Sequence, residues 1–149
     1  MKNLTLRCKS NPQDREALAT LIQGSQSGYS FEQTAAVVAL GQVGSNAAPT
    51  VDSLIDALNG ANLFAAREAA ISIRRVGPGA HRAIPDLIKA VQQHSNSDTG
   101  WFSVEALSQI LTLNNPEVIS VLQAAAKSSH ENMRSSAISA LRHIESRLK

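Results

Sequence analysis

Apolar residues recur along this chain at intervals of 33 or 34 positions. Leu40, Ile73, Leu107 and Leu141 form one ladder, separated by 33, 34 and 34 residues. Val43, Val76, Ile110 and Ile144 follow three positions later in each period. A second ladder runs between them: Leu21-Ile22, Leu54-Ile55, Leu87-Ile88 and Val121-Leu122. Apolar positions three or four apart mark one face of a helix, so two ladders per period predict two amphipathic helices per period. A helix pair this small cannot bury its apolar face alone, and neighbouring pairs must stack. The pattern predicts an all-α chain, an α-solenoid of stacked antiparallel helix pairs.

The elements follow from the ladders. Residues 14–23 put Leu18, Leu21 and Ile22 on one face, in register with Val51, Leu54 and Ile55. This is a helix of the second type with no first helix before it, and it reads as an N-terminal cap. Residues 24–30 are a polar turn. Repeat one spans about 31–58, with helices at 31–43 and 48–58 broken at Gly44-Ser45-Asn46. Repeat two spans 64–92, with helices near 64–76 and 80–92 broken at Gly77-Pro78-Gly79. Repeat three spans 99–127, with helices near 99–112 and 116–127; Pro116 suits a first turn, where its missing N–H costs nothing. A last helix at 131–147 closes the stack, its outward face solvated by Arg134, Arg142, Arg147 and Lys149. All of 1–149 reads as a single domain.

Small residues recur in the first helices at Ala36/Ala39, Ala69/Ser72, Ser103/Ala106 and Ala137/Ala140. They are expected to face the adjacent repeat, where bulk would force the pairs apart. A period of 33–34 also fits tetratricopeptide and ankyrin repeats. The Trp/Leu-Gly/Tyr pattern of the former and the Thr-Pro-Leu-His of the latter are absent.

The segments AAVVALGQVG (35–44), AAISIRRVG (69–77), AIPDLIKAV (83–91) and MRSSAISALRHI (133–144) instead resemble short HEAT-like repeats, the kind also found in phycobilin lyases. The resemblance covers about residues 14–147 and implies a right-handed superhelix. Arg67 and Arg134 match an arginine that in that family usually pairs with an Asp of a neighbouring repeat. Thr34 replaces it in repeat one and Trp101 stands one residue off it, so a weakened arginine ladder is expected.

Composition narrows the function classes. Apolar residues make up 43% and aromatics only 3%, so Ala, Leu, Ile and Val must fill the core. Net charge is +2, with a sequence pI of about 9.0. Residues 1–66 carry four Lys/Arg against five Asp/Glu, and residues 67–149 carry ten against seven. That falls short of the basic stripe of a strong nucleic-acid binder. The single cysteine, Cys8, excludes an internal disulfide and fits a reducing compartment. Residues 1–16 do not form a secretory signal, and no apolar run approaches a membrane span, so the cytoplasm is the expected location.

The candidate chemistry is sparse. Cys8 reads as an incidental thiol rather than a nucleophile or chromophore attachment point. His81, His94, His130 and His143 lack metal-ligand spacing, and they read as solvent-exposed. Gly77-Pro78-Gly79-Ala80-His81-Arg82 could cradle phosphate at a helix start, but it reads as a turn. Trp101 and Phe102 read as buried at a helix start. No nucleophile–base constellation appears, and the sequence predicts no enzyme, no cofactor and no metal. Arg67, Arg74, Arg75 and Arg82, with Arg142 repeating Arg74-Arg75 after 68 residues, form the densest basic cluster.

In the HEAT-like family the second helices line the concave surface. The outward rows there are Gln23, Asp56, Lys89 and Gln123, and beside them Ala19, Asp52, Pro85 and Ile119. These rows are polar and mixed in charge, suited to an extended peptide or a partner's helix. The expected contacts are Asp52, Asp56, Asp86, Lys89, Glu117, Ser120 and Gln123. The sequence therefore predicts a protein-interaction or scaffold module, a monomer or weak homodimer. Two readings from other classes stay open. One is a nucleic-acid binder using the Arg74/Arg75/Arg142 side. The other, which the resemblance to phycobilin lyases allows, is a subunit or chaperone of a lyase-like enzyme.

Overall fold

A computed structural model describes residues 1–11, 14–44, 48–111 and 115–147. Among them are nine α-helices: α1 (Lys2–Ser10), α2 (Arg15–Ser25), α3 (Ser30–Val43), α4 (Ala48–Leu58), α5 (Leu63–Val76), α6 (Ile84–Gln93), α7 (Asp98–Ile110), α8 (Pro116–Ala125) and α9 (Glu131–Arg147). No strand occurs among the described residues. The chain is the all-α solenoid that its apolar ladders predict. Ser45, Asn46, Thr112 and Lys149 lie outside the described residues.

Two corrections concern the helices. The cap helix is not alone: α1 packs on both α2 and α3. Its weak amphipathicity hid it, because only Thr5 and Cys8 are buried along its length. The second helix of repeat two begins at Ile84 rather than near residue 80. Gly77–Ala83 form a 3-10 turn, entered through Gly77 at φ 66°, a backbone conformation that favours glycine. Ala80 and Ala83 are fully buried in that turn and anchor it to the core.

Local chemistry sets the helix starts. The Asp14 carboxylate accepts from the Ala17 N–H at 3.0 Å and caps α2. Asn62 Oδ1 caps α5 through the Phe64 and Ala65 N–H groups, and Asn115 Oδ1 caps α8 through Glu117 and Val118. Asn62 also fastens one repeat to the previous one. Its Nδ2 donates to the Ser30 carbonyl at 3.1 Å and to Gln33 Oε1 at 2.9 Å.

The core follows the ladders. Leu21, Leu40, Leu54, Ile73, Leu87, Leu107 and Leu122 are fully buried. Leu141 and Ile144 in the last helix are only half-buried, as expected where a neighbour covers one side alone. The eight small residues of the stripe are all buried. They let α3, α5, α7 and α9 pack closely in a continuous row. At Gly41 the approach is closest: a Cβ there would stand 2.1 Å from Ser72 Oγ and 2.4 Å from Ser72 Cβ. The second helices α2, α4, α6 and α8 touch one another far less and pack mainly on the first helices.

Candidate interaction surfaces

The second-helix row presents the residues that the sequence singled out. Asp52 and Asp56 lie on α4, Asp86 and Lys89 on α6, and Glu117, Ser120 and Gln123 on α8. All are exposed except Asp86, which is half-buried because Asn59 Nδ2 donates to its Oδ1 at 2.8 Å. Asp52 forms an ion pair with Arg82 at 2.8 Å. Because α6 and α8 stand apart, a groove of about 600 Å³ opens between them. Val91, Ser120, Val121, Ala124 and Lys127 help to line it. The surface offers four carboxylates, Asp52, Asp56, Asp86 and Glu117, against Lys89, Lys127 and the Arg82 paired to Asp52.

Several of the arginines are held by local carboxylates. Arg82 sits in the 3-10 turn and reaches Asp52 on α4. Arg67 is two helical turns from Arg74 along α5, a separation of about 10 Å. It pairs with Glu68 at 3.0 Å, and its Nε is buried without a partner. Arg74 pairs with Glu105 across the α5–α7 contact and lies over the Phe102 ring, 5.6 Å from its centroid. Arg75 and Arg142 are exposed, with no ion pair among the described residues. Three of the five cations are thus matched by carboxylates, which lowers the positive potential that phosphate binding needs.

Arg74 has other neighbours that sequence order concealed. It shares a groove of about 650 Å³ with Glu105, Ser136, His143 and Arg147, between α7 and the last turns of α9. Period arithmetic places His143 two repeats from Arg75, and only the packing of α9 on α7 brings it to the groove that Arg74 lines.

Trp101 and Phe102 are half-buried and stacked, with ring centroids 4.4 Å apart. Trp101 Nε1 donates to Ser136 Oγ at 3.0 Å, bridging α7 to α9. Trp101 thus supplies an inter-repeat bond near the slot where the family carries its arginine. Arg134, the second matching arginine, donates instead to the Ser128 carbonyl at 2.8 Å.

The histidines need correction. His81 and His143 are exposed, but His94 and His130 are half-buried. His130 Nδ1 accepts from the Met133 N–H at 3.2 Å and its Nε2 lies 3.4 Å from Asp98, so it serves the start of α9. Among the described residues no group of three or more His, Cys, Asp or Glu could hold a metal ion. Cys8 lies in the α1 interface. It is only 4% exposed, and burial pushes its thiol pKa up, with the Asp14 charge adding to the effect. A raised pKa keeps the sulfur protonated and poorly nucleophilic.

A model of HEAT repeats matches residues 51–142. This chain belongs to the HEAT-repeat family. The match starts in α4 and ends in α9, so it covers the most regular part of the stack. A search of curated proteins finds no significant match. HEAT repeats commonly mediate protein interaction or scaffolding. No helix among the described residues is long and apolar enough to cross a membrane.

One surface of this HEAT-repeat chain escaped the sequence reading. Tyr29, Phe31, Leu63 and Phe64 are 79%, 89%, 64% and 66% exposed. Phe31 and Phe64 are one period of 33 residues apart, and that spacing was the available signal.

Proposed function

We propose that this chain is a non-catalytic scaffold that holds a segment of a partner protein against its second-helix face, the face that the family resemblance makes concave. The supporting observation is the exposed row on α4, α6 and α8, with four carboxylates against Lys89, Lys127 and the Arg82 that pairs with Asp52, and a groove beside Ser120. Asp56 and Glu117, exposed and in no ion pair among the described residues, favour a partner segment bearing Lys or Arg, through charge complementarity that speeds encounter and selects partners. Many modest contacts spread over three repeats suit an extended peptide or a single helix. The buried, unpaired Cys8 suits work in a reducing compartment such as the cytoplasm.

The test is affinity capture from host lysate with and without nuclease. Wild type is compared with the Asp56→Lys/Lys89→Glu reversal and with Arg75→Glu/Arg142→Glu. A discrete protein that survives nuclease and is lost only in the first variant is the expected outcome. Unchanged capture by that variant would overturn the choice of face. Recovery that vanishes with nuclease and with the arginine variant would transfer the function to nucleic acid.

A further inference from the structure

The chain has five aromatic residues, Tyr29, Phe31, Phe64, Trp101 and Phe102. Two of them are held between repeats, and the other three stand in solvent together with Leu63. A chain with so few aromatics would be expected to keep them in its core. Exposing three in one place has no stabilising explanation, and contiguous exposed apolar surface marks sites of interaction.

The four side chains share one rim. Tyr29 and Phe31 flank the start of α3, and Leu63 and Phe64 open α5. The two starts are held side by side by the Asn62 bonds to the Ser30 carbonyl and to Gln33 Oε1. Packed helices lie about 8–10 Å apart, so Phe31 and Phe64 stand at about that separation. The surroundings carry little free charge. Arg67 and Glu68 neutralise one another at 3.0 Å. Glu32 is exposed and fixed at the border by Ser27 Oγ, which donates to its Oε2 at 2.7 Å.

We propose that this rim docks one short amphipathic helix of a partner protein, with large apolar anchors toward the aromatics and a Lys or Arg opposite Glu32. The spacing fits, because anchors at i and i+7 of a helix lie about 10 Å apart, matching Phe31 and Phe64. The area also selects the occupant. At their observed exposures the four side chains offer on the order of 500 Å², using about 150–250 Å² for a fully buried aromatic. That is short of the roughly 800 Å² per partner in a stable protein–protein interface, so a second copy of this chain would be held poorly. It suffices for one helix whose energy is concentrated in a few aromatic contacts. The rim is built at the starts of α3 and α5, from residues other than those of the second-helix row.

The experiment is selection of short random peptides displayed on phage against the full chain, with Phe31→Ser/Phe64→Ser as counter-selection. The expected peptides carry large apolar residues at helical spacing with a flanking cation. They lose affinity about tenfold or more on the double variant and bind the Asp56→Lys/Lys89→Glu variant unchanged. Both phenylalanines are exposed, so the double variant keeps its melting temperature within about 2 °C. Peptides that bind both forms equally, or no enrichment at all, would overturn the proposal. Two further measurements would reassign the rim. A dimer in sedimentation that the double variant abolishes gives it to a second copy. Flotation with phosphatidylcholine vesicles that the double variant abolishes gives it to a lipid surface.

Discussion

The two rows of this solenoid are built from the same period but obey different rules. First helices meet one another through Ala, Ser and Gly, and the contact is tight enough for Ser72 Oγ to approach the Val37 carbonyl at 3.4 Å. Second helices hardly meet, and their outward positions carry charge and amide groups. The first row is thus constrained by volume, whereas the second is constrained by little beyond its inward Leu and Ile. Surface positions that packing does not dictate are free to be tuned for a partner. That asymmetry leaves the second row free to vary and ties the first row to stability.

The sharpest way to break this comparison is to add bulk to each row. Gly41→Leu should cost about 3 kcal/mol, since the new side chain has no room beside Ser72. Thermal melting should then shift by roughly 6–12 °C. Ala106→Leu, at a fully buried position of the same row, should cost about 1–3 kcal/mol. Ser120→Leu on the second row should stay within about 0.5 kcal/mol, and an equal loss there would erase the distinction between rows.

A smaller effect tests the polar links between first helices. Arg74→Gln removes the pair with Glu105 and its contact over Phe102. Both side chains are partly open to solvent, so about 1 kcal/mol is expected, falling in high salt. A loss that ignores salt would place the contribution in packing on Phe102 instead.

The smallest effect concerns the α1–α2 junction. Asp14 accepts from the Ala17 N–H and pairs with Arg7 at 2.9 Å, and both hold its carboxyl below the usual range, the backbone bond most strongly. The folded pKa is therefore below the unfolded one. The stabilisation is present above the ordinary carboxylate range and is lost as pH falls through and below about 4. Cys8 reports this directly. Relative to a free thiol at the same pH, it should resist dithiodipyridine at pH 7 and lose that protection as acid loosens α1. A thiol that reacts fully at pH 7 would show that α1 is not held on the stack.

Periodicity made most of the fold legible. Leu40, Ile73 and Leu107 are buried because a repeating helix pair has one way to hide its apolar face, and the spacing states that face directly. Helix α1 was not legible, since its sequence KNLTLRCKS has only a weak apolar stripe and is ordered by docking. The 3-10 turn was missed for a related reason. Gly77-Pro78-Gly79 announces a break, but the burial of Ala80 and Ala83 decides how far it extends.

The candidate surfaces divide in the same way. Register alone placed Asp52, Asp56, Lys89 and Gln123 outward, because a helix position fixes its own face. Residue order could not reveal that Arg82 is held by Asp52 and Arg74 by Glu105, which separates the basic cluster into local ion pairs. Nor could it reveal that Trp101 bonds to Ser136 on α9 and Phe102 lies under Arg74 while Phe31 and Phe64 meet solvent. The sequence by itself determined the period, the inward ladders and the stripe of small residues, because these depend on spacing within one helix. Which charges are paired and which aromatics are uncovered was decided only by tertiary structure, because each depends on what the neighbouring repeat brings to the contact.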